Sequence, residues 1–254
     1  MAELAAESME DEFGTVAAWT EQAVRALGPQ YAVPAGCRGS GSEEALAWLT
    51  DRLDPWPGAR VLDDGAGVGG PAGWLATQRE VRPVCAEPMV DAVRAAHRLF
   101  GLSGVVSDAQ HLPFLDASFD MAWSLGVLCT IPDKAAALRE LRRVLVDGGR
   151  LGLLVFVATG PLTPPLPEGN TFPTAEELVQ LLSDSNFTLR AISRADLSNS
   201  PPVWLRRAAA VEAEVSRRHG HDERWAQAQE QSGRVGRLLS DGELVPWLGV
   251  ASAG

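Results

Sequence analysis

The chain predicts an α/β fold with a doubly wound parallel sheet, and three observations carry that expectation. Short apolar segments alternate with helical patterns of about 10–15 residues, the arrangement of consecutive strand–helix–strand units. Arg150–Val157 is almost wholly apolar, as a strand covered on both faces must be. The strand at Arg60–Asp63 runs into Asp64-Gly65-Ala66-Gly67-Val68-Gly69-Gly70 and then into a helix, the place where such sheets receive ligands.

The elements follow in order. Residues 10–27 place Phe13, Val16, Ala17, Ala23, Val24 and Leu27 at helical spacing. A linker rich in Gly and Pro spans Gly28–Ser42, and Ser40-Gly41-Ser42-Glu43 offers a capping box for a helix over Glu43–Leu53. After strand one, the helix behind the glycine loop runs to Arg79, and strand two covers Arg82–Glu87. Met89–Phe100 is a helix, Gly104–Asp108 strand three and Phe119–Leu125 strand four. Lys134–Leu145 sets Leu138, Leu141, Val144 and Leu145 on one face, and strand five follows over Arg150–Val157. Gly160–Pro173 carries too many prolines for a helix or a central strand. Thr174-Ala175-Glu176-Glu177 caps the next helix, Thr188–Ile192 is strand six, and Pro202–His219 and Asp222–Leu239 are long amphipathic segments. Val245–Val250 closes the chain as a strand.

The glycine loop explains itself chemically. Glycine permits backbone angles closed to other residues and lets a ligand approach the main chain, while the amides opening the next helix form a positively polarised pocket. Glu87, about 20 residues after the loop, is placed to accept hydrogen bonds from ribose hydroxyls. An adenosine-containing ligand is expected. Gly65, Gly67 and Gly70 also satisfy the dinucleotide fingerprint, so the glycines alone do not choose between cofactors.

Asp63, two residues before the first glycine, and three further segments make the choice. These are Ser107-Asp108-Ala109-Gln110-His111-Leu112-Pro113-Phe114, Ser118-Phe119-Asp120, and Leu141-Arg142-Arg143-Val144-Leu145-Val146-Asp147-Gly148-Gly149-Arg150. In this order and spacing, over roughly residues 59–157, the chain resembles the class I S-adenosylmethionine-dependent methyltransferases. In particular it resembles the small-molecule branch that includes the ubiquinone/menaquinone C-methyltransferases. The resemblance implies a Rossmann-like doubly wound sheet of seven strands, the last antiparallel and inserted beside the fifth. It also implies S-adenosylmethionine as cofactor, with S-adenosylhomocysteine as product.

The implied cofactor site comprises Asp63, Gly65, Ala66, Gly67 and Gly69 of the loop region, Glu87, Pro88 and Met89 at the ribose, and Leu125 at the end of strand four. Asp108 would accept from the adenine amine, Ala109 would donate to the ring, and Gln110 follows them. Arg38 stands where relatives place a group for the methionine carboxylate, although an ordinary surface arginine fits equally. Asp64 is unusual, because relatives carry an apolar residue there. Two adjacent carboxylates are costly in a dry site, so one of the pair is expected to face solvent or a basic partner. Tyr31, Cys129 and Thr130 are candidates to line the substrate. Leu128-Cys129-Thr130-Ile131-Pro132-Asp133 stands where many relatives have a histidine pair, and no catalytic residue is assigned. His111 is read as a turn residue, and packing is the favoured role for Trp204, Trp225 and Trp247.

Residues 1–42 are read as an N-terminal helix and linker contributing to a lid. Residues 43–254 form the methyltransferase domain, within which 198–243 is a helical substrate-lid insertion. The implied function is methyl transfer to a small-molecule acceptor; a non-methylating reaction such as a cyclisation stays open as the alternative. Composition narrows the partners. A net charge of -11 over 254 residues argues against nucleic acid, and the longest apolar run, Leu151–Ala158, argues against a membrane span. Three scattered cysteines, Cys37, Cys85 and Cys129, read as reduced thiols, with no zinc spacing and no metal expected. With an acidic start that lacks a leader pattern, the expected location is the cytoplasm, and a homodimer is left open.

Overall fold

The computed structural model describes residues 2–197 and 199–254, with side chains from Phe13 onward. Ser198, where the insertion was expected to begin, lies outside the described residues. The helices are α1 (Ala2–Leu27), α2 (Ala32–Gly36), α3 (Glu43–Leu53), α4 (Gly70–Gln78), α5 (Val90–Phe100), α6 (Lys134–Val144), α7 (Ala175–Asp184), α8 (Pro202–His219) and α9 (Glu223–Ser240). The strands are β1 (Val61–Asp64), β2 (Val84–Glu87), β3 (Ser103–Val106), β4 (Phe119–Leu125), β5 (Leu145–Ala158), β6 (Phe187–Arg194) and β7 (Leu244–Ala253).

They form one seven-stranded sheet in the order β3-β2-β1-β4-β5-β7-β6. β1 to β5 are parallel, and β7 runs antiparallel between β5 and β6, as the resemblance implied. The chain order reverses between β1 and β4, so the crevice at their carboxyl ends is where a ligand belongs. Both faces of β5 are covered. A Cβ at Gly152 would lie 2.9 Å from Leu53 of α3, while Leu153 faces Leu178 and Leu182 of α7. Leu151, Leu153, Leu154 and Val155 are all essentially inaccessible. This is the apolar run read as a doubly covered strand.

Three local details differ from the sequence reading. The linker at 28–42 contains α2, whose Pro34 sits in the first turn, where a missing N–H costs no helical hydrogen bond. α3 is capped by Ser42 alone, its Oγ accepting from Ala45 N–H at 3.2 Å; Ser40 takes no part because the chain enters the helix two residues later. The reciprocal capping box forms at Thr174 and Glu177, where the sequence placed the cap of α7. β5 starts directly after α6 at Leu145, which pairs with Phe119, then turns through Gly148 (φ 74°) and resumes its pairing with β4 from Arg150 onward.

A second layer stands beside the sheet. α1 packs on α5, α8 and α9, and Val16, Trp19, Ala23 and Val24 meet Val211, Val215, Trp225 and Ala228 there. Trp19 stacks on His219 with ring centroids 4.3 Å apart. Glu21, buried on α1, holds Arg25 at 3.4 Å and Arg98 of α5 at 3.3 Å.

Candidate functional site

The loop after β1 is built by three glycines at positive φ: Gly65 (67°), Gly67 (53°) and Gly69 (82°). Two of them are also steric requirements. A Cβ at Gly65 would fall 2.2 Å from Val127, and one at Gly69 would fall 2.8 Å from Ala96. Gly67 differs: a Cβ there would meet nothing within 4 Å, because its face opens into a cavity. That is the cradle a ligand needs for close approach to the main chain.

Glu87 ends β2 and is buried, yet its carboxylate lies at the cavity wall. Oε2 accepts from Gly67 N–H at 2.7 Å and Oε1 from Met89 N–H at 3.1 Å. The acid thus ties the glycine loop to the turn before α5, and each oxygen keeps acceptor capacity for a hydroxyl. Asp108, beyond β3, accepts from Gln110 N–H at 2.7 Å and lies 3.0 Å from His111 Nδ1. His111 is therefore the partner of Asp108 on the outside of the site.

Asp63 and Asp64 correct the sequence expectation. Neither faces solvent or a basic group; their exposures are 2% and 1%. Strand alternation sends them to opposite faces of β1. Burial pushes Asp63 up to about 8, and the charges of Asp64 and Glu87 add to this. Trp123 and the Ala72 backbone oppose the rise, although the Trp123 indole N–H stays short of hydrogen-bond geometry. Burial likewise pushes Asp64 up to about 7; the Ser124 hydroxyl, donating to its Oδ2 at 2.9 Å, opposes the rise while Glu87 and Asp108 reinforce it. The protein accommodates two adjacent acids by favouring their neutral forms rather than by pairing them.

The cavity at the carboxyl ends of the strands measures about 490 Å³. It brings together Arg38, Gly65, Gly67, Glu87, Pro88, Met89, Asp108, Ala109, Gln110, Leu125 and Thr130 of the predicted residues. Asp63, Ala66 and Gly69 lie behind this wall and support the loop. Tyr31 and Cys129 are corrections as lining residues. Tyr31 packs on the α1–α8–α9 cluster. Cys129 is buried and turns toward β5, where its Sγ receives Phe156 N–H at 3.3 Å. Arg38 lines the cavity while its guanidinium reaches α9, donating to Ser232 Oγ at 2.8 Å and Ala228 O at 3.4 Å.

The sequence reading missed much of the remaining wall. Phe13, Val16, Ala17 and Thr20 come from α1, and Val127, Ile131 and Pro132 from the segment after β4. The helical spacing of residues 13–27 signalled an apolar face, but not what it covers. None of the cavity-lining residues belongs to α8 or α9; those helices back α1 instead. Among the described residues no cluster of His, Cys, Asp and Glu is arranged to hold a metal, and no helix is long and apolar enough to cross a membrane.

Comparison with known proteins gives the family. The family described as "Methyltransferase domain" matches residues 62–153. The O-methyltransferase resE of Aspergillus sclerotiorum is 30% identical over 207 residues, covering 68% of this chain and 75% of that protein. Methyltransferase GfsG of Streptomyces halstedii is 40% identical over 127 residues, 47% of this chain and 46% of its own length. The first curated relatives are thus matched over about half their length. The crystal structure of the cyclase SpnF superposes with a TM-score of 0.66 at 23% identity, covering 83% of this chain and 80% of that one. At that identity the likeness shows the fold alone. The chain belongs to the class I S-adenosylmethionine-dependent methyltransferases.

Proposed function

We propose that the protein transfers the methyl group of S-adenosylmethionine to a small-molecule acceptor. The observation that carries this reading is the pairing of Gly67 with Glu87 at the wall of the cavity, open where a Cβ would stand and ready to accept from a ribose. These residues fit the cofactor. Glu87 would hold the ribose hydroxyls through charge-assisted bonds, Asp108 and the Ala109 amide the adenine, and Pro88, Met89 and Leu125 the apolar faces beside them. Arg38 would meet the methionine carboxylate at the cavity rim, where α9 already orients its guanidinium. Asp63, Ala66 and Gly69 would hold the loop in shape from behind.

When bound, the cofactor supplies an already activated methyl group, so the protein's contribution is alignment and exclusion of water. Positioning alone can supply about 7–11 kcal/mol of a barrier. α1 would act as the cover, with α8 and α9 as its support, and closure would dry the cavity. The lid is thus assigned to α1 and its linker, braced by the 198–243 insertion. The buried thiols Cys37, Cys85 and Cys129 suit a reducing compartment, and we place the protein in the cytoplasm.

Isothermal titration with S-adenosylhomocysteine and with NADH tests the cofactor. Binding of the first and not the second is expected; the reverse would sink the reading. Release of S-adenosylhomocysteine during turnover separates methyl transfer from a cyclisation, which would leave the cofactor intact.

A further inference from the structure

We propose that Ser232 of α9 is a positioning residue for the cofactor. Its hydroxyl sets the Arg38 guanidinium for the carboxylate at the amino-acid end of S-adenosylmethionine, although α9 lines none of the cavity. This rests on the methyl-transfer reading above and on its placement of Arg38. Arg38 is the basic side chain of the cavity wall, and residues 1–12 and Ser198 contain no Lys, Arg or His that could add another. Glu87 and Asp108 give the same wall negative charge, so a carboxylate entering it has to be directed at Arg38.

The arginine is fixed at both ends. Its backbone lies in the turn after α2, which is clamped by close main-chain approaches. A Cβ at Gly36 would fall 2.8 Å from Gly70 Cα at the start of α4, and one at Gly126, after β4, would fall 2.5 Å from Gly39 O. Ser40 N–H donates to Cys37 O at 3.0 Å and closes the turn. This end of the side chain therefore belongs to the sheet and the glycine loop. The other end belongs to α9. Nη2 donates to Ser232 Oγ at 2.8 Å and, less closely, to Ala228 O at 3.4 Å one turn earlier. Ser232 lies between Ala228 and Leu238, both fully buried, and Arg237 ties the end of α9 to Thr163 O at 2.7 Å and Pro165 O at 2.8 Å. A long side chain loses rotamer freedom when it takes hold of a ligand, and an arginine already held in one rotamer loses less. The guanidinium carries its donors in one rigid plane, so Ser232 and a carboxylate can share it. Arg38 and Ser232 are both exposed, so water competes for the contact and the hydroxyl's effect is graded, not all-or-none.

Isothermal titration of the full chain compares S-adenosylhomocysteine with methylthioadenosine, which keeps the adenine, ribose and thioether but lacks the amino-acid end. Ser232→Ala should weaken S-adenosylhomocysteine by about three- to tenfold and leave methylthioadenosine unchanged. Alanine is the better helix former, so such a loss does not come from unfolding of α9. Arg38→Met should weaken S-adenosylhomocysteine alone, by about tenfold or more, and adding Ser232→Ala to it should change nothing further. Unchanged affinity for S-adenosylhomocysteine in Ser232→Ala overturns the proposal. An equal loss for both ligands, or a second loss in the Arg38→Met background, shows a structural role for Ser232 and overturns it too. Binding that Arg38→Met leaves intact overturns the placement of Arg38, and the proposal with it. Failure of the unaltered protein to bind S-adenosylhomocysteine overturns the methyl-transfer reading itself.

Discussion

The sheet and the helical layer beside it are held together in different ways. In β4 and β5, Met121, Trp123, Leu151, Leu153 and Leu154 are at most 1% exposed, and helices cover both faces. α8 buries only Val211 and Val215 among its 18 residues, and α9 only Trp225, Ala228 and Leu238 among its 18. Much of the rest of that layer is surface ion pairing, such as Glu214 with Arg217 and Arg218, which contributes little stability in water. The contrast separates a densely packed part of the site from a thinly packed one. The glycine loop and Glu87 grow from the rigid sheet, whereas the apolar wall made by α1 is backed by the weaker layer.

The largest effect expected from breaking this contrast is in the sheet. Leu151→Ala should cost about 2–5 kcal/mol in urea unfolding, as a cavity between two covered faces cannot collapse. A loss within the error of the measurement would mean that β5 is not the centre of the core. Next comes the link between sheet and loop. Glu87→Gln should weaken S-adenosylhomocysteine binding by about 1.5–3 kcal/mol in calorimetry and leave the circular dichroism spectrum intact. Equal affinity in a folded variant removes Glu87 from the site.

Smaller still is the helical layer's own response. Val211→Ala should cost about 1–2 kcal/mol, read as faster amide exchange in α1, α8 and α9 with β4 and β5 unchanged. Uniformly faster exchange would make the layer part of one cooperative core.

The last prediction sharpens the comparison by pH, and the two regions should respond in opposite directions. Asp63 and Asp64 keep protons that the unfolded chain has released, their values rising from 3.8 to about 8 and about 7. Stability of the cofactor-free protein should therefore fall as pH rises from about 4 through 8, and Asp64→Asn should flatten that slope. His219 is the reverse case. Burial, with His221, Arg218 and Arg224 nearby, lowers it below its usual 6.5, while Asp222 opposes the shift. The unfolded chain binds that proton first, so stability from the Trp19 stack is lost as pH falls through 6.5. Exchange in α1 and α8 at pH 5.5 against 7.5 checks it, and His219→Gln should remove the difference. Acceleration only at the higher pH would contradict the assignment.

The sequence by itself determined the succession of strands and helices, the doubly covered β5, the glycine loop and the acid that closes it. These depend on local chemistry: periodicity, glycine's access to positive φ, and the short span from Gly67 to Glu87. Tertiary structure alone decided what each buried residue meets. It set Asp63 and Asp64 against opposite neighbours and kept both dry, although adjacent acids had suggested that one would reach water. It turned Cys129 toward Phe156 and away from the cavity. It also carried Arg38 to Ser232 on α9 and made α1, not the insertion, the apolar wall. Periodicity reports that a face is covered, but the covering partner comes from segments far along the chain. Only the packing of the whole chain brings those faces together.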